Sequence, residues 1–161
     1  MASLLHVAVG AAAGRLWAGE RSWRHSLGFA GLSMLPDADV LAFALGIPYS
    51  APFGHRGASH SLAFAAGLGL LSLAGSRSGR LALLVTAVVA SHPLLDALTD
   101  GGLGVALWWP WSAERVFAPW RPIPVAPIGA AFLSERGLRV ALAEALPSLP
   151  PLLYAAWGSR K

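Results

Sequence analysis

Seven side chains able to hold a cation stand in stretches that are otherwise apolar: His6, Asp37, Asp39, His55, His60, His92 and Asp96. All are imidazoles or carboxylates, the donor set of a divalent ion such as zinc, manganese or iron. An ionisable side chain inside a membrane span costs about 2.5–3.5 kcal/mol on insertion scales, so each is a functional candidate by default. His92 and Asp96 are four apart, which puts both on one face of a helix. Asp37 and Asp39 are two apart and diverge on a regular helix. Pro36 just before them predicts a local break that turns both toward one ion. In His55-Arg56-Gly57-Ala58-Ser59-His60, a turn at Gly57 leads into a helix that Ser59 or Ser61 would cap. Arg56 offers a fork for phosphate or carboxylate, or anchors the chain at an interface.

Taken singly, these residues have plainer accounts. His6 fits an interfacial histidine, Asp37 and Asp39 a loop between two short helices, His92 and Asp96 a hydrogen bond within a helix, and His55 a solvated loop. Taken together, the seven favour a shared metal. His25 lies among arginines at the opposite end and is left out.

The elements that must position these residues follow from composition. The chain of 161 residues has room for one domain, 1–161, and is 55% hydrophobic and 12% charged. Soluble domains are about 25% charged. The deficit excludes a disordered chain and an ordinary soluble enzyme, and makes lipid the expected solvent. There is no cysteine, hence no disulfide and no thiolate metal site. Net charge is +4, but the arginines sit singly between apolar runs, as loop anchors do, which argues against nucleic acid.

Five apolar runs predict an all-α, polytopic membrane bundle: residues 2–18, 26–47, 58–75, 81–98 and 138–157. The last is weakened by Glu144, Pro147, Pro150 and Pro151. Residues 99–137, rich in Trp, Pro and Gly, read as an irregular surface segment at headgroup level. Gly10 and Gly14 form a small-xxx-small pair that allows close helix packing. Arg15, Arg21 and Arg24, then Arg77 and Arg80, then Arg160 and Lys161 fall on one side of such a bundle, which the positive-inside rule makes cytoplasmic. The seven ligand-type residues then open toward the outer side of the inner or plasma membrane.

The motifs occur in a recognisable order. An early His6 is followed by Leu35-Pro36-Asp37-Ala38-Asp39, by His55-Arg56-Gly57-Ala58-Ser59-His60-Ser61, by His92-Pro93-Leu94-Leu95-Asp96-Ala97-Leu98-Thr99, and by Gly102 with Trp109-Pro110-Trp111-Ser112. Over residues 1–121 this resembles the YdjM-like family of membrane-bound, metal-dependent hydrolases. Ser59 stands where threonine is the commoner choice, and Pro93 after His92 is unusual.

The resemblance implies a metallohydrolase of the membrane. A distant similarity of its His/Asp pattern to zinc-dependent phospholipases C implies a lipid-borne or interfacial phosphoester substrate. On that reading His6, Asp37, His60, His92 and Asp96 hold the metal, zinc before manganese or iron. Asp39 and His55 either complete a second ion's site or orient the first ligands, so one or two ions are expected. Asp39, Arg56 and Asp100 are the candidate catalytic residues, with Asp100 or Glu114 as general base, and Thr99 and Ser112 bonding substrate or a ligand. The rival readings are a His/Asp-based proton- or cation-coupled transporter, disfavoured by the lack of an internal repeat, and a membrane protein whose metal only staples helices.

Overall fold

A computed structural model describes residues 3–157. Among these the chain is helical, with no strand and two isolated bridges, Thr99 with Ile123 and Val105 with Val116. The helices are α1 (Ser3–Ala18), α2 (Trp23–Ser33), α3 (Leu62–Ser76), α4 (Gly79–Ala97) and α5 (Glu135–Ala156). Leu35–Leu45, Ala58–His60 and Gly129–Leu133 are 3₁₀ segments. Ala2, at the head of the first expected span, and Arg160 and Lys161, used in the charge balance, lie outside the described residues.

The glycine pair of α1 is the seam against α2. A Cβ on Gly10 would collide with the backbone of Phe29 and Ala30, and one on Gly14 with that of His25 and Ser26. The two helices therefore run antiparallel in close contact, as small residues four apart permit. At its far end α1 meets α4, where Arg80 donates to the carbonyl of Leu16 and its guanidinium stacks on Trp17. α5 lies beside α1 in the same direction: Glu144 accepts from Leu4 N at 2.8 Å, and Arg15 lies over the Tyr154 ring.

Three of the expected runs take a more particular form. The run 26–47 has the break expected near Pro36: it falls at Met34, and the two halves are bent by 46°. The α-helix ends before Pro36 because proline has no N–H to donate to the Leu32 carbonyl four residues back, and its ring would clash with that carbonyl. The run 58–75 becomes α-helical only at Leu62, after the 3₁₀ turn Ala58–His60. Ser61, not Ser59, caps α3, accepting from Phe64 N at 3.0 Å, so His60 sits in the turn before the helix. In the last run, Pro147, Pro150 and Pro151 do not stop α5. Packing of Val140, Glu144 and Ser148, all buried, overrides intrinsic propensity.

Glu144, a charge within α5, caps α1. Its carboxylate takes the N–H groups of Leu4 and Leu5, which have no partner within the helix.

Among the described residues, α4 is the one helix that is by itself long and apolar enough to cross a membrane. Its 19 residues make about 28 Å at 1.5 Å each. α2 with Leu35–Leu45 qualifies as a second only if the bent pair is one span. α1 and α3 are apolar but shorter, with 16 and 15 residues. Leucines face outward on α3, α4 and α5, among them Leu71, Leu83 and Leu146, while His6, Arg56, His60, His92 and Asp96 are fully buried. That is the reverse of a soluble domain, where charged side chains are the ones left outside.

Candidate metal centre

Four segments meet at one end of the bundle. α1 brings His6 on its second turn. The break after α2 brings Asp37. The turn before α3 brings His60, and the last turns of α4 bring His92 and Asp96. One donor atom each from Asp37, His60, His92 and Asp96 lies within 4.8 Å of all the others. Asp37 Oδ1 is 3.4 Å from Nε2 of His60 and 3.4 Å from Nε2 of His92. Asp96 Oδ2 is 3.6 Å from His60 Nε2 and 3.9 Å from His92 Nε2, and Oδ1 is 3.5 Å from His6 Nε2. The His6 ring stacks on His92 at 3.8 Å between centroids.

Most of these separations are too long for good hydrogen bonds. They match the edge of a coordination tetrahedron, about 3.4 Å for donors held at about 2.1 Å from zinc.

The remaining hydrogen bonds point the same way. His92 Nδ1 is 2.7 Å from the carbonyl oxygen of Ser33. A carbonyl only accepts, so Nδ1 carries the hydrogen and Nε2 presents its lone pair to the cluster. His60 Nδ1 is 3.0 Å from Asp39 Oδ2, which leaves Nε2 to face the cluster in the same way. Nε2 of His60 and His92 and both oxygens of Asp37 are buried without a hydrogen-bond partner. A buried carboxylate with no donor is costly, by about 1–3 kcal/mol or more. A cation amid these atoms removes that cost, so the donor set fits a divalent metal.

Asp39 and His55 sit one layer out. With His60 they form a second group with donors within 4.8 Å, but its contacts are short hydrogen bonds. Asp39 Oδ1 is 2.6 Å from His55 Nδ1, and Oδ2 accepts from Ser59 Oγ at 2.6 Å and from Arg56 N at 3.1 Å. The Asp39 carboxylate is thus engaged at both oxygens and orients the two histidines, an arrangement that fixes tautomer and ring direction at metal sites. Arg115 ties down the loop that carries His55, donating to the carbonyls of His55, Tyr49 and Ala51 at 2.8, 2.8 and 3.1 Å. Burial pushes the Tyr49 hydroxyl above its usual pKa and keeps it neutral.

Arg56 is fully buried, with a left-handed backbone at φ 62°. That conformation is uncommon outside glycine. It is held by Arg56 N on Asp39 and by Ala106 N donating to the Arg56 carbonyl at 3.0 Å. The guanidinium Nε is 3.0 Å from Asp96 Oδ2, and Nη1 donates to Thr99 Oγ1 and to the Gly101 carbonyl at 3.1 and 3.0 Å. Nη2 is buried without a hydrogen-bond partner. Arg56 also lines a cavity of ≈ 70 Å³ together with Tyr49, His55, Gly102 and Val125. Gly102, at φ 89°, keeps this space open, since a Cβ there would press on the Tyr49 hydroxyl and Arg56 Nη1.

The structure therefore gathers His6, Asp37, His60, His92 and Asp96, with Asp39, His55, Arg56 and Thr99 around them. It leaves Asp100 exposed, accepting from Val125 N at 2.8 Å. Glu114 is exposed too, its N–H bonded to Ser112 Oγ. His25 pairs with Ser22 at the other end of α2. Ser33, Ser59 and Arg115 act on the centre without having been singled out by sequence as doing so. A backbone carbonyl has no sequence signature, and Arg115 reads as one more loop charge.

A model of the YdjM inner membrane protein family matches residues 1–159. Inner membrane protein YbcI of Escherichia coli (strain K12) is 52% identical over 107 residues, which are 62% of this chain and 62% of YbcI. The chain thus matches less than two thirds of that relative's length. No solved structure matches. The motifs that build the centre lie inside the matched region, and the match runs on through α5: the chain belongs to the YdjM family of inner membrane proteins.

Proposed function

We propose that this inner membrane protein is a metal-dependent hydrolase of a lipid-borne or interfacial phosphoester. The observation that carries the reading is the convergence of buried, unbonded donor atoms of Asp37, His60 and His92, with Asp96 and His6 beside them, at separations suited to one ion. When bound, a divalent ion supplies an activated water at neutral pH and Lewis acidity toward a phosphoryl oxygen. Zinc suits the nitrogen and oxygen donors, with manganese or iron as alternatives.

The chain's own residues supply the rest. Arg56, pinned through Nε and Nη1, has Nη2 available to an anionic group of the substrate, where a planar fork recognises phosphate well. Asp39 is occupied at both oxygens, so it holds His55 and His60 in place. Thr99, which donates to the Asp96 carbonyl at 2.7 Å and accepts from Arg56, fixes the guanidinium. The exposed tryptophans support a protein that crosses the bilayer repeatedly. Trp108, Trp111 and Trp120 lie at the end that holds the centre, and Trp23 and Trp157 at the end that holds Arg21, Arg24, Arg77 and Arg80. Tryptophan concentrates at both membrane interfaces. Five crossings then place the arginines in the cytoplasm and the centre toward the outer face.

The test is hydrolysis of phospholipids and soluble phosphoesters by the full chain in proteoliposomes, before and after chelation. Chelator-sensitive release of product is expected. Arg56→Lys should keep the metal and lose turnover, because a point charge does not reproduce the fork. Metal-loaded protein that leaves every phosphoester intact overturns the reading.

A further inference from the structure

We propose that the groove between the start of α3 and the turn at Trp109, Pro110 and Trp111 receives the hydrocarbon chain of a membrane lipid whose headgroup meets the metal centre at Ser59. This rests on the functional reading above and names its substrate class.

The groove has a volume of ≈ 540 Å³ and is walled by Phe53, Ala58, Ala63, Phe64, Trp109 and Trp111. Ligand pockets run from about 300 to 1,000 Å³. No charged side chain lines it, and its one side-chain hydroxyl is Ser59. The Ser59 Oγ donates to Asp39 Oδ2 at 2.6 Å and lies 3.1 Å from His60 Nδ1. The apolar space therefore ends against the residues that orient the metal ligands. Its shape is built in: Leu62 N donates to the Leu107 carbonyl at 3.0 Å, tying α3 to the tryptophan segment, and the rings of Phe53 and Trp109 meet edge to face at 5.7 Å.

The outer lip is open. Trp111 is 82% and Phe53 64% exposed, which suits a groove that lipid enters sideways at headgroup level. A peptide strand or helix seated there would find few polar partners, whereas an acyl chain needs none.

The experiment uses the full chain in vesicles of phosphatidylethanolamine and phosphatidylglycerol, doped with phosphatidylglycerol carrying a photoreactive diazirine near the end of one acyl chain. Label should concentrate on Phe53, Phe64, Trp109 and Trp111. Ala63→Trp, which fills the groove, should cut that label about tenfold, the factor lost with roughly two buried methylenes. Ala12→Trp should leave it unchanged, because it fills a different apolar hollow, of ≈ 300 Å³, between α1 and α4. Label spread evenly over outward residues such as Leu71 and Leu83 overturns the proposal, and wild-type protein alone decides this. So does label that survives Ala63→Trp. Metal content and phosphoester hydrolysis are measured on the same vesicles. Groove label without hydrolysis fails the catalytic reading and keeps the lipid site, whereas hydrolysis without groove label does the opposite.

Discussion

Nδ1 of His92 donates a 2.7 Å hydrogen bond to the carbonyl oxygen of Ser33. Ser33 closes α2, and the last carbonyls of a helix lack partners within it. The break at Met34 thus does two things at once. It frees a carbonyl that sets the His92 tautomer, and it swings Asp37 to within 3.4 Å of the nitrogen so exposed. Ser33 Oγ also donates to the His6 carbonyl at 2.8 Å, tying α1 to the same point.

Asp39 does for His60 what Ser33 does for His92. Asp39→Asn keeps the shape but weakens the acceptor. Metal affinity, measured by competition with a chelator, should fall about 10–100-fold, as when partners that orient metal ligands are removed. Unchanged affinity would mean that Asp39 does not position the centre.

The α1–α2 seam gives a test of opposite signs. Gly28 has open space around it, so Gly28→Ala should stabilise by about 0.5–1 kcal/mol through helix propensity. Gly10→Ala forces a methyl into the backbone of Phe29 and Ala30 and should destabilise by about 1–3 kcal/mol. Thermal unfolding in detergent reads both, and equal effects would contradict the packing described.

The centre was legible because ionisable residues are conspicuous in apolar sequence. His6, Asp37, His60, His92 and Asp96 stood out by type alone, and the spacing of His92 and Asp96 gave their shared face. Pro36 signals the break, although α2 ends three residues before the proline, at Ser33. The role of Gly10 and Gly14 was open in an alanine-rich helix, since spacing allows close approach but does not name the partner. The persistence of α5 through three prolines was not legible, because it depends on the burial of Glu144 against α1. Asp100 shows the converse. A carboxylate near the ligands in sequence is turned outward by its bond to Val125 N.

Topology has a direct test, because the chain has no cysteine. Ser50 and Ser76 are both exposed. Ser50 lies in the loop beside His55, and Ser76 at the far end of α3. Ser50→Cys and Ser76→Cys should react with a membrane-impermeant reagent from opposite faces of oriented vesicles. Labelling from the same face would contradict a crossing by α3.

Protein purified in detergent and analysed by mass spectrometry for metals should carry a transition metal near stoichiometry. His92→Ala and Asp96→Ala should each lose it, while His25→Ala, at the opposite end of the bundle, should retain it. Folded wild-type protein that holds no metal, and takes up none when zinc, manganese or iron is supplied, would contradict the account.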